Sequence, residues 1–525
     1  MKKLSIVCMA MTLAAETATA GGLLTNTNQN IAFLRNPSRD AAIAIDGVYS
    51  NPAGVAFLKE GHHLSLNWQL AYQTRTINNS YALFNNNTSN STDSRKFEGK
   101  AFAPVIPSLQ YAYNKNNWSF QLNFALVGGG GKCKFDNGLG SFEKIVSETA
   151  LGACQLAGAV DQVTSTVLGQ PTRMFTSDQA FGQQGKYSFS SYMRGRQYYY
   201  GLSVGAAYKF NEHLSAFAGV RAVYALANYY GYVEDIKVGN MPLYQVLDPT
   251  KSDAANIELN CDQSGLGFTP ILGVDYKTGR FNFAVKYEFK TRMRLKNEAV
   301  NQTPSIGNLG DNLSKSMVQS LAGAAMQKGM SQEQATAWAM TQTQTVLGNN
   351  VVTGAMGQLK SQFDSKLDEA IGEYADGKKI AGDIPSLLTV GVGYNPTDDL
   401  RLNVGFHYFD DKHATAYNDR HKKLDRGTME YNAGVEYDAT KCLTVSAGWQ
   451  NTSYGLTDEY MDDKSFVVSS NSIGVGVKVK LSQKMNLNLA YFHTFYETKN
   501  TELNNYKADF TRNNNVFGAG LDIDF

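Results

Sequence analysis

From about residue 62 to the end, hydrophobic and polar positions alternate with a period of two, the spacing of a β-strand whose two faces meet different surroundings. Leu402, Val404, Phe406 and Tyr408 share one face, while Arg401, Asn403, Gly405 and His407 take the other. Leu443, Val445, Ala447 and Trp449 alternate likewise with Thr444, Ser446 and Gly448, and Ile473, Val475, Val477 and Val479 make another such stripe. The chain ends with Phe517, Ala519, Leu521, Ile523 and Phe525 on one side and Asp522 and Asp524 on the other. Segments of this kind recur fourteen times, near 62–77, 99–114, 117–128, 187–210, 213–232, 265–277, 280–295, 384–394, 399–411, 427–438, 442–454, 465–481, 484–499 and 510–525. Short polar turns, for example at 114–117, 277–280 and 482–484, alternate with long loops. The pattern predicts an all-β fold, a 14-stranded antiparallel transmembrane β-barrel, with short turns and both termini on the periplasmic side.

Four stretches break the alternation. Residues 1–20 read as a signal peptide: Lys2 and Lys3 precede the apolar run Leu4 to Ala15, and Ala18-Thr19-Ala20 supplies a small-x-small cleavage site. Residues 21–61, rich in Asn, Ala and Gly, read as an N-terminal hatch on the periplasmic side or in the lumen; the barrel proper takes 62–525. An unfilled pore of this width would leak water, so a plug is expected. Long extracellular loops near 129–186 and 297–383 are partly helical. There Leu359, Phe363, Leu367 and Ile371 recur at four-residue spacing, and Ser331 with Gln334 has the spacing of a capping box. These helices either pack on themselves as a small cap or present an apolar landing surface for a greasy ligand.

Composition sharpens this picture. Mean hydropathy is −0.32, a soluble value taken alone, but a barrel conceals its lipid-facing residues among polar lumenal ones. A net charge of +1 provides no field for nucleic acid or another polyanion. Five cysteines are few for a disulfide scaffold; Cys133 could pair with Cys154, or either of them with Cys261, and Cys442 is expected to be a lone buried thiol. Neither metal-ligand spacing nor a cofactor motif appears. Gly201-Leu202-Ser203-Val204-Gly205 formally fits G-x-S-x-G, yet alternation runs on through Tyr208, so Ser203 reads as a strand residue and no enzyme is expected.

Two sets of candidate residues follow from strand parity. Arg221, Lys286 and Arg401 fall on lumenal faces. A cation there would bind a ligand carboxylate, or form ion pairs with Glu288 or with Asp40 and Asp46 of the hatch. Gly128-Gly129-Gly130-Gly131 closes the third predicted strand. Glycine weakens pairing and permits a kink, which makes the run a candidate lateral opening or else a flexible start to the long loop.

Ala41-Ala42-Ile43-Ala44-Ile45-Asp46, followed by Asn51-Pro52-Ala53-Gly54, resembles the N-terminal signature of outer-membrane long-chain fatty acid transporters of the FadL/TodX type. The resemblance covers the mature chain at the level of architecture and departs from the family in the size of the loop near 297–383. It implies a hatch containing Asp46, Asn51, Pro52, Ala53 and Gly54, and a C-terminal aromatic, here Phe525, read by the barrel assembly machinery. It also implies passive uptake, as a monomer in outer-membrane lipid, of long-chain fatty acids or other hydrophobic small molecules. Capture at the loops, a pocket above the hatch and a sideways exit at the third strand belong to that expectation. A general porin, a surface adhesin and an outer-membrane hydrolase are the competing readings.

Overall fold

The structure, a computed structural model, describes residues 24–25, 30–176, 185–304 and 309–525; the signal-peptide reading falls outside them. Its hydrogen-bonded sheet closes on itself as fourteen antiparallel staves. These are β1 (Gly61–Ser80), β2 (Ser94–Lys115), β3 (Trp118–Phe135), β4 (Tyr187–Lys209), β5 (Leu214–Val238), β6 (Ile257–Thr278), β7 (Phe281–Glu288, resuming at Arg294–Ala299), β8 (Lys379–Ala381, resuming at Leu387–Tyr394), β9 (Leu400–Phe409), β10 (Thr428–Thr440), β11 (Leu443–Ser453), β12 (Ser470–Lys480), β13 (Met485–Tyr496) and β14 (Tyr506–Asp524). Closure is made by β1 on β14, in register from His63 opposite Asp524 to Ser80 opposite Lys507.

Alternation sorts the residues as the sequence implies. Leu402 and Val404 are exposed to the outside while Asn403 is buried toward the lumen. Trp68, Phe268, Phe283, Trp449 and Phe517 join the outer apolar belt. Among the described residues no helix is long and apolar enough to cross a membrane.

Several boundaries differ from expectation. The third strand does not stop at the glycine run but continues to Phe135, and the sixth begins at Ile257, eight residues before 265. In both places the strand leaves the lipid zone, so the outward apolar stripe that marked it fades while backbone pairing persists. Such extensions lift the extracellular ends well above the bilayer, since about 10 residues suffice to cross it.

The long loops fold over the outer mouth. Helix α3 (Gly140–Leu168) packs with α5 (Leu309–Gln327), α6 (Gln332–Leu347) and α7 (Asn350–Ile371), and a short turn, α4 (Tyr244–Leu247), wedges beside them. Ser331 and Gln334 do form a capping box at the start of α6. Inside the barrel, the N-terminal segment carries α1 (Ile31–Arg35) and α2 (Gly47–Ser50), and residues 30–42 and 45–56 are almost wholly buried.

The lumenal wall leaves room for this hatch. A Cβ at Gly405 of β9 would stand 2.0 Å from Asp40 Oδ2, and one at Gly434 of β10 would stand 1.7 Å from Asn36 Oδ1. The inward glycines of the alternating pattern are thus the seat of the plug.

Candidate functional site

The Asn-Pro-Ala-Gly turn is fastened to the wall at its first three residues. Asn51 Nδ2 donates to Asp275 Oδ2 at 2.6 Å, Gln121 Nε2 donates to the Pro52 carbonyl at 2.7 Å, and Ser215 Oγ donates to the Ala53 carbonyl at 2.8 Å. Gly54 is required for proximity rather than for an unusual dihedral. A Cβ there would lie 2.4 Å from Asn51 Nδ2, and the Gly54 N–H donates to Asn51 Oδ1 at 3.2 Å. Asp46 accepts both prongs of the Arg39 guanidinium, at 2.7 and 2.9 Å.

A buried ion network ties the hatch to the opposite wall. Glu436 of β10 lies 2.5 Å from Arg35, 3.1 Å from Arg39 and 3.5 Å from Arg401. Asp40 meets His407 at 2.9 Å, and His407 meets Glu430 at 2.8 Å. Ions so deeply placed are tolerated only when paired, and removing one partner typically costs about 3–5 kcal/mol.

All three cations picked out by parity face the lumen, and each is engaged by a carboxylate of the wall. Arg221 lies 2.6 Å and Lys286 2.9 Å from Glu288, under the ring of Tyr49 in the hatch. Arg401 lies 2.6 Å from Asp438 as well as near Glu436. Ser203 is an inward strand residue that accepts from Arg221 Nε at 3.2 Å.

Two other cations, not singled out by the sequence, stand differently. Arg75 of β1 and Arg512 of β14 are directly paired positions on the closing seam. Arg75 Nε and Arg512 Nη2 both donate to Gln73 Oε1, at 3.2 and 2.9 Å. Among the described residues neither has a carboxylate within ion-pair distance, and Arg512 Nε is buried with no partner. Their signal in the sequence was parity alone: Arg75 shares the odd-numbered inward face of Ser65, Asn67 and Gln69.

The Arg75–Arg512 pair lies where the lumen changes character. Below, the inward residues of β1 to β3 are largely polar and buried, and Ser65, Asn67, Gln110 and Gln121 are hydrogen-bonded to the hatch. Above, the next inward pair, Ile77 opposite Phe510, enters an apolar cluster with Phe97, Phe135, Tyr229 and Phe466. A second lumenal cluster contains Val127, Tyr199, Val223, Met293, Leu387 and Phe409. Phe142 packs both on the upper lumenal cluster and on the cap core.

That cap core opens into a cleft of about 550 Å³, counting its open mouth, lined by Leu156, Val160, Leu243, Leu313, Leu359 and Phe363 among others. Leu359 and Phe363 are the buried stripe read from the four-residue spacing of α7.

The wall itself parts beside the second lumenal cluster. Pairing of β2 with β3 runs from Lys115 opposite Trp118 to Leu109 opposite Phe124, lapses, and resumes only at Ala101 opposite Cys133. Residues 102–108 and 125–132 therefore lack a ladder between them. Across β3, Leu126 faces Tyr200, Gly128 faces Tyr199 and Gly131 faces Gln197, so β3 holds two more residues than β4 over that span.

Gly129 (φ 99) and Gly131 (φ 69) take up the left-handed bulge, and a Cβ at Gly129 would stand 2.5 Å from the Gln197 carbonyl. Pro104 and Pro107 of β2 face this lapse with no N–H to offer; together with the glycine run they were the readable sign of it. Phe102 and Val105 are exposed outside the parted seam, and Val127 is buried inside it.

The cysteine expectations are corrected. Cys133 and Cys261 form no disulfide; both are buried in the upper lumenal cluster, whereas Cys154 lies on α3 in the cap. Cys442 is exposed, because it lies in the short turn ahead of β11 rather than within the stave. Among the described residues no group of side chains has metal-binding geometry.

A closed antiparallel barrel with an apolar outer belt, stoppered by its own N-terminal segment, defines the class as a plugged barrel of the outer-membrane type. The particular fold is that of FadL/TodX-type channels. The chain is similar to the crystal structure of a Pseudomonas aeruginosa FadL homologue, with a TM-score of 0.56 and 13% identity over 96% of this chain and 100% of that one. It is also similar to a deltaS2 mutant of the TodX monoaromatic hydrocarbon channel (TM-score 0.52, 12% identity, 95% and 99% covered) and to the P. putida toluene transporter TodX (TM-score 0.50, 11% identity, 92% and 94% covered). No family model and no curated protein matches the chain.

Proposed function

We propose that the protein is an outer-membrane channel for passive uptake of hydrophobic small molecules bearing an anionic head, long-chain fatty acids being the model substrate. The observation that carries this reading is the division of the lumen, apolar above and polar below, with two cations lacking carboxylate partners at the boundary. An apolar tail gains about 0.8 kcal/mol for each CH₂ removed from water. The cap cleft offers first capture, the lumenal clusters a second dry site, and Arg75 with Arg512 a carboxylate receptor. The hatch below is hydrogen-bonded all round, so the parted β2–β3 seam is the exit that asks least of it, discharging the ligand sideways into lipid. The named neighbours, a FadL homologue and toluene channels, support transport of hydrophobic compounds as a class.

Uptake of a labelled long-chain fatty acid into cells lacking their own outer-membrane transporter tests this. Saturable uptake without entry of a small hydrophilic solute is the expected result. Replacement of Gly128–Gly131 by bulkier residues should abolish it while the barrel still folds. Hydrophilic leak in place of fatty acid uptake would make the protein a porin, and uptake of toluene but not of the acid would assign it to neutral hydrocarbons.

A further inference from the structure

The outer wall above the parted seam carries a feature that transport does not use. Cys133 and Phe135 of β3 are buried toward the lumen, so Lys132 and Lys134 between and before them point outward; the same parity turns Arg194 and Arg196 of β4 out. Lys134 lies directly opposite Arg194, and Lys132 directly opposite Arg196. Lys100 of β2 is directly opposite Lys134 on the other side. Five cations thus occupy adjoining positions on one outward patch.

Like charges directly opposite one another weaken a sheet. Four of the five have no carboxylate within ion-pair distance among the described residues. The fifth, Lys100, meets Glu98 at 3.5 Å, and Arg194 donates to Asn228 Oδ1 at 2.7 Å while stacking over Tyr230.

The level of this patch in the membrane is set by the aromatic residues beneath it. On the outward face of β4, Arg194 and Arg196 are followed by Tyr198 and Tyr200, then Leu202 and Val204, then Tyr208, which packs on Trp118. From Tyr198 to Tyr208 is roughly 33 Å of strand at about 3.3 Å per residue. A tilt of about 40° reduces this to roughly 25 Å, the height of the apolar band of an outer-membrane barrel. Tyr198 and Tyr208 therefore mark the two interfaces, and the basic patch begins one side-chain layer above the outer one. Lipid phosphates of the outer leaflet lie at that depth.

We infer that Lys132, Lys134, Arg194 and Arg196, with Lys100, form a docking site for the phosphate groups of an outer-leaflet glycolipid. Such a lipid would be seated against the upper lip of the parted seam, because Lys132 is the last residue of β3 before pairing with β2 resumes. Bound there, it would hold its acyl chains alongside Phe102 and Val105, both exposed at the lapse.

The test is binding to the whole barrel in phosphatidylcholine nanodiscs, with bisphosphorylated lipid A titrated in and retention read by native mass spectrometry. Transport is not the readout, so the outcome does not depend on the uptake reading. The quadruple variant Lys132→Gln, Lys134→Gln, Arg194→Gln, Arg196→Gln should bind at least tenfold more weakly, and dephosphorylated lipid A should bind the parent protein as weakly. A control variant, Lys277→Gln with Lys484→Gln in the periplasmic turns, should bind like the parent. Folding of each variant is checked by its heat-dependent shift on gels. Equal retention of phosphorylated and dephosphorylated lipid, or retention unchanged in the quadruple variant, overturns the proposal. Displacement of lipid A by millimolar inorganic phosphate alone would also overturn it, by reducing the patch to a site for free anions.

Discussion

Arg75 and Arg512 face one another across the seam that closes the barrel, and one acceptor, Gln73 Oε1, takes a hydrogen bond from each. Two guanidinium groups sharing a neutral partner repel, and that cost is recovered when an anion enters. Replacing both by Gln should weaken binding of a long-chain carboxylate by about tenfold to a hundredfold, given 1.5–3 kcal/mol for a hydrogen bond to a charged group. Binding of the alcohol of equal chain length should hold. Fluorescence titration with the two ligands decides it: an equal loss for the alcohol would mean that the arginines only shape the cavity.

Glu436 bears on the hatch in a different way. Its carboxylate meets both Arg35 and Arg39 of the hatch, which are buried. Glu436→Ala should leave the buried Arg35 without its carboxylate, Arg39 keeping Asp46, at about 3–5 kcal/mol, and loosen the plug before it unfolds the barrel. Planar-bilayer recordings should then show ion conductance that the parent protein lacks. A silent variant with unchanged thermal stability would count against the network as the fastening.

Filling the cap cleft separates capture from passage. Ala157 lines it and is nearly inaccessible. Ala157→Trp should overfill the cleft, at about 1–3 kcal/mol to the cap. Fatty acid uptake should fall severalfold at low concentration and recover at saturation. Loss at all concentrations would indicate that the cap props the channel open rather than gathering substrate.

Asp411 carries a pH signature in the loop between β9 and β10. Burial raises its carboxyl to about 8, against the opposing hydrogen bonds from the Thr428 hydroxyl and N–H. A carboxyl whose folded pKa lies above the unfolded 3.8 keeps more protons folded than unfolded. Its contribution is full below about 4 and is lost as pH rises toward 8. The parent protein should therefore lose stability across that window by more than Asp411→Asn does, measured as the temperature of heat-modifiability on gels. Parallel curves for the two would refute the assignment.

Much of the architecture was readable because lipid and water impose a period of two on every stave. Fourteen alternating segments, the turn rhythm and the helical loops all follow from residues near in sequence. The glycines of the inner face could be placed by parity before their purpose was known. The glycine run pointed to a disturbed wall, although the strand's continuation beyond it was hidden, since the alternation there is inverted, with Cys133 and Phe135 inward and Lys132 and Lys134 outward.

Pairing partners were legible only in part: Glu288 was a candidate and does pair with Arg221 and Lys286, but Asp40 and Asp46 take His407 and Arg39 instead. Parity put Arg75, Arg221, Lys286, Arg401 and Arg512 in the lumen alike, with nothing to rank them. Only closure of β1 on β14 set Arg75 against Arg512, and only the packing of the wall gave Glu288 to Arg221 and Lys286 and Glu436 to Arg401. Cysteine pairing failed for the same reason, because two thiols on separate elements meet or miss by the path of the backbone. What the sequence by itself determined is the solvent each side chain faces, a property of local period. Which charges are spent on the fold and which stay open to a ligand was decided by the tertiary structure, because Coulomb interactions depend on distances that barrel closure alone establishes.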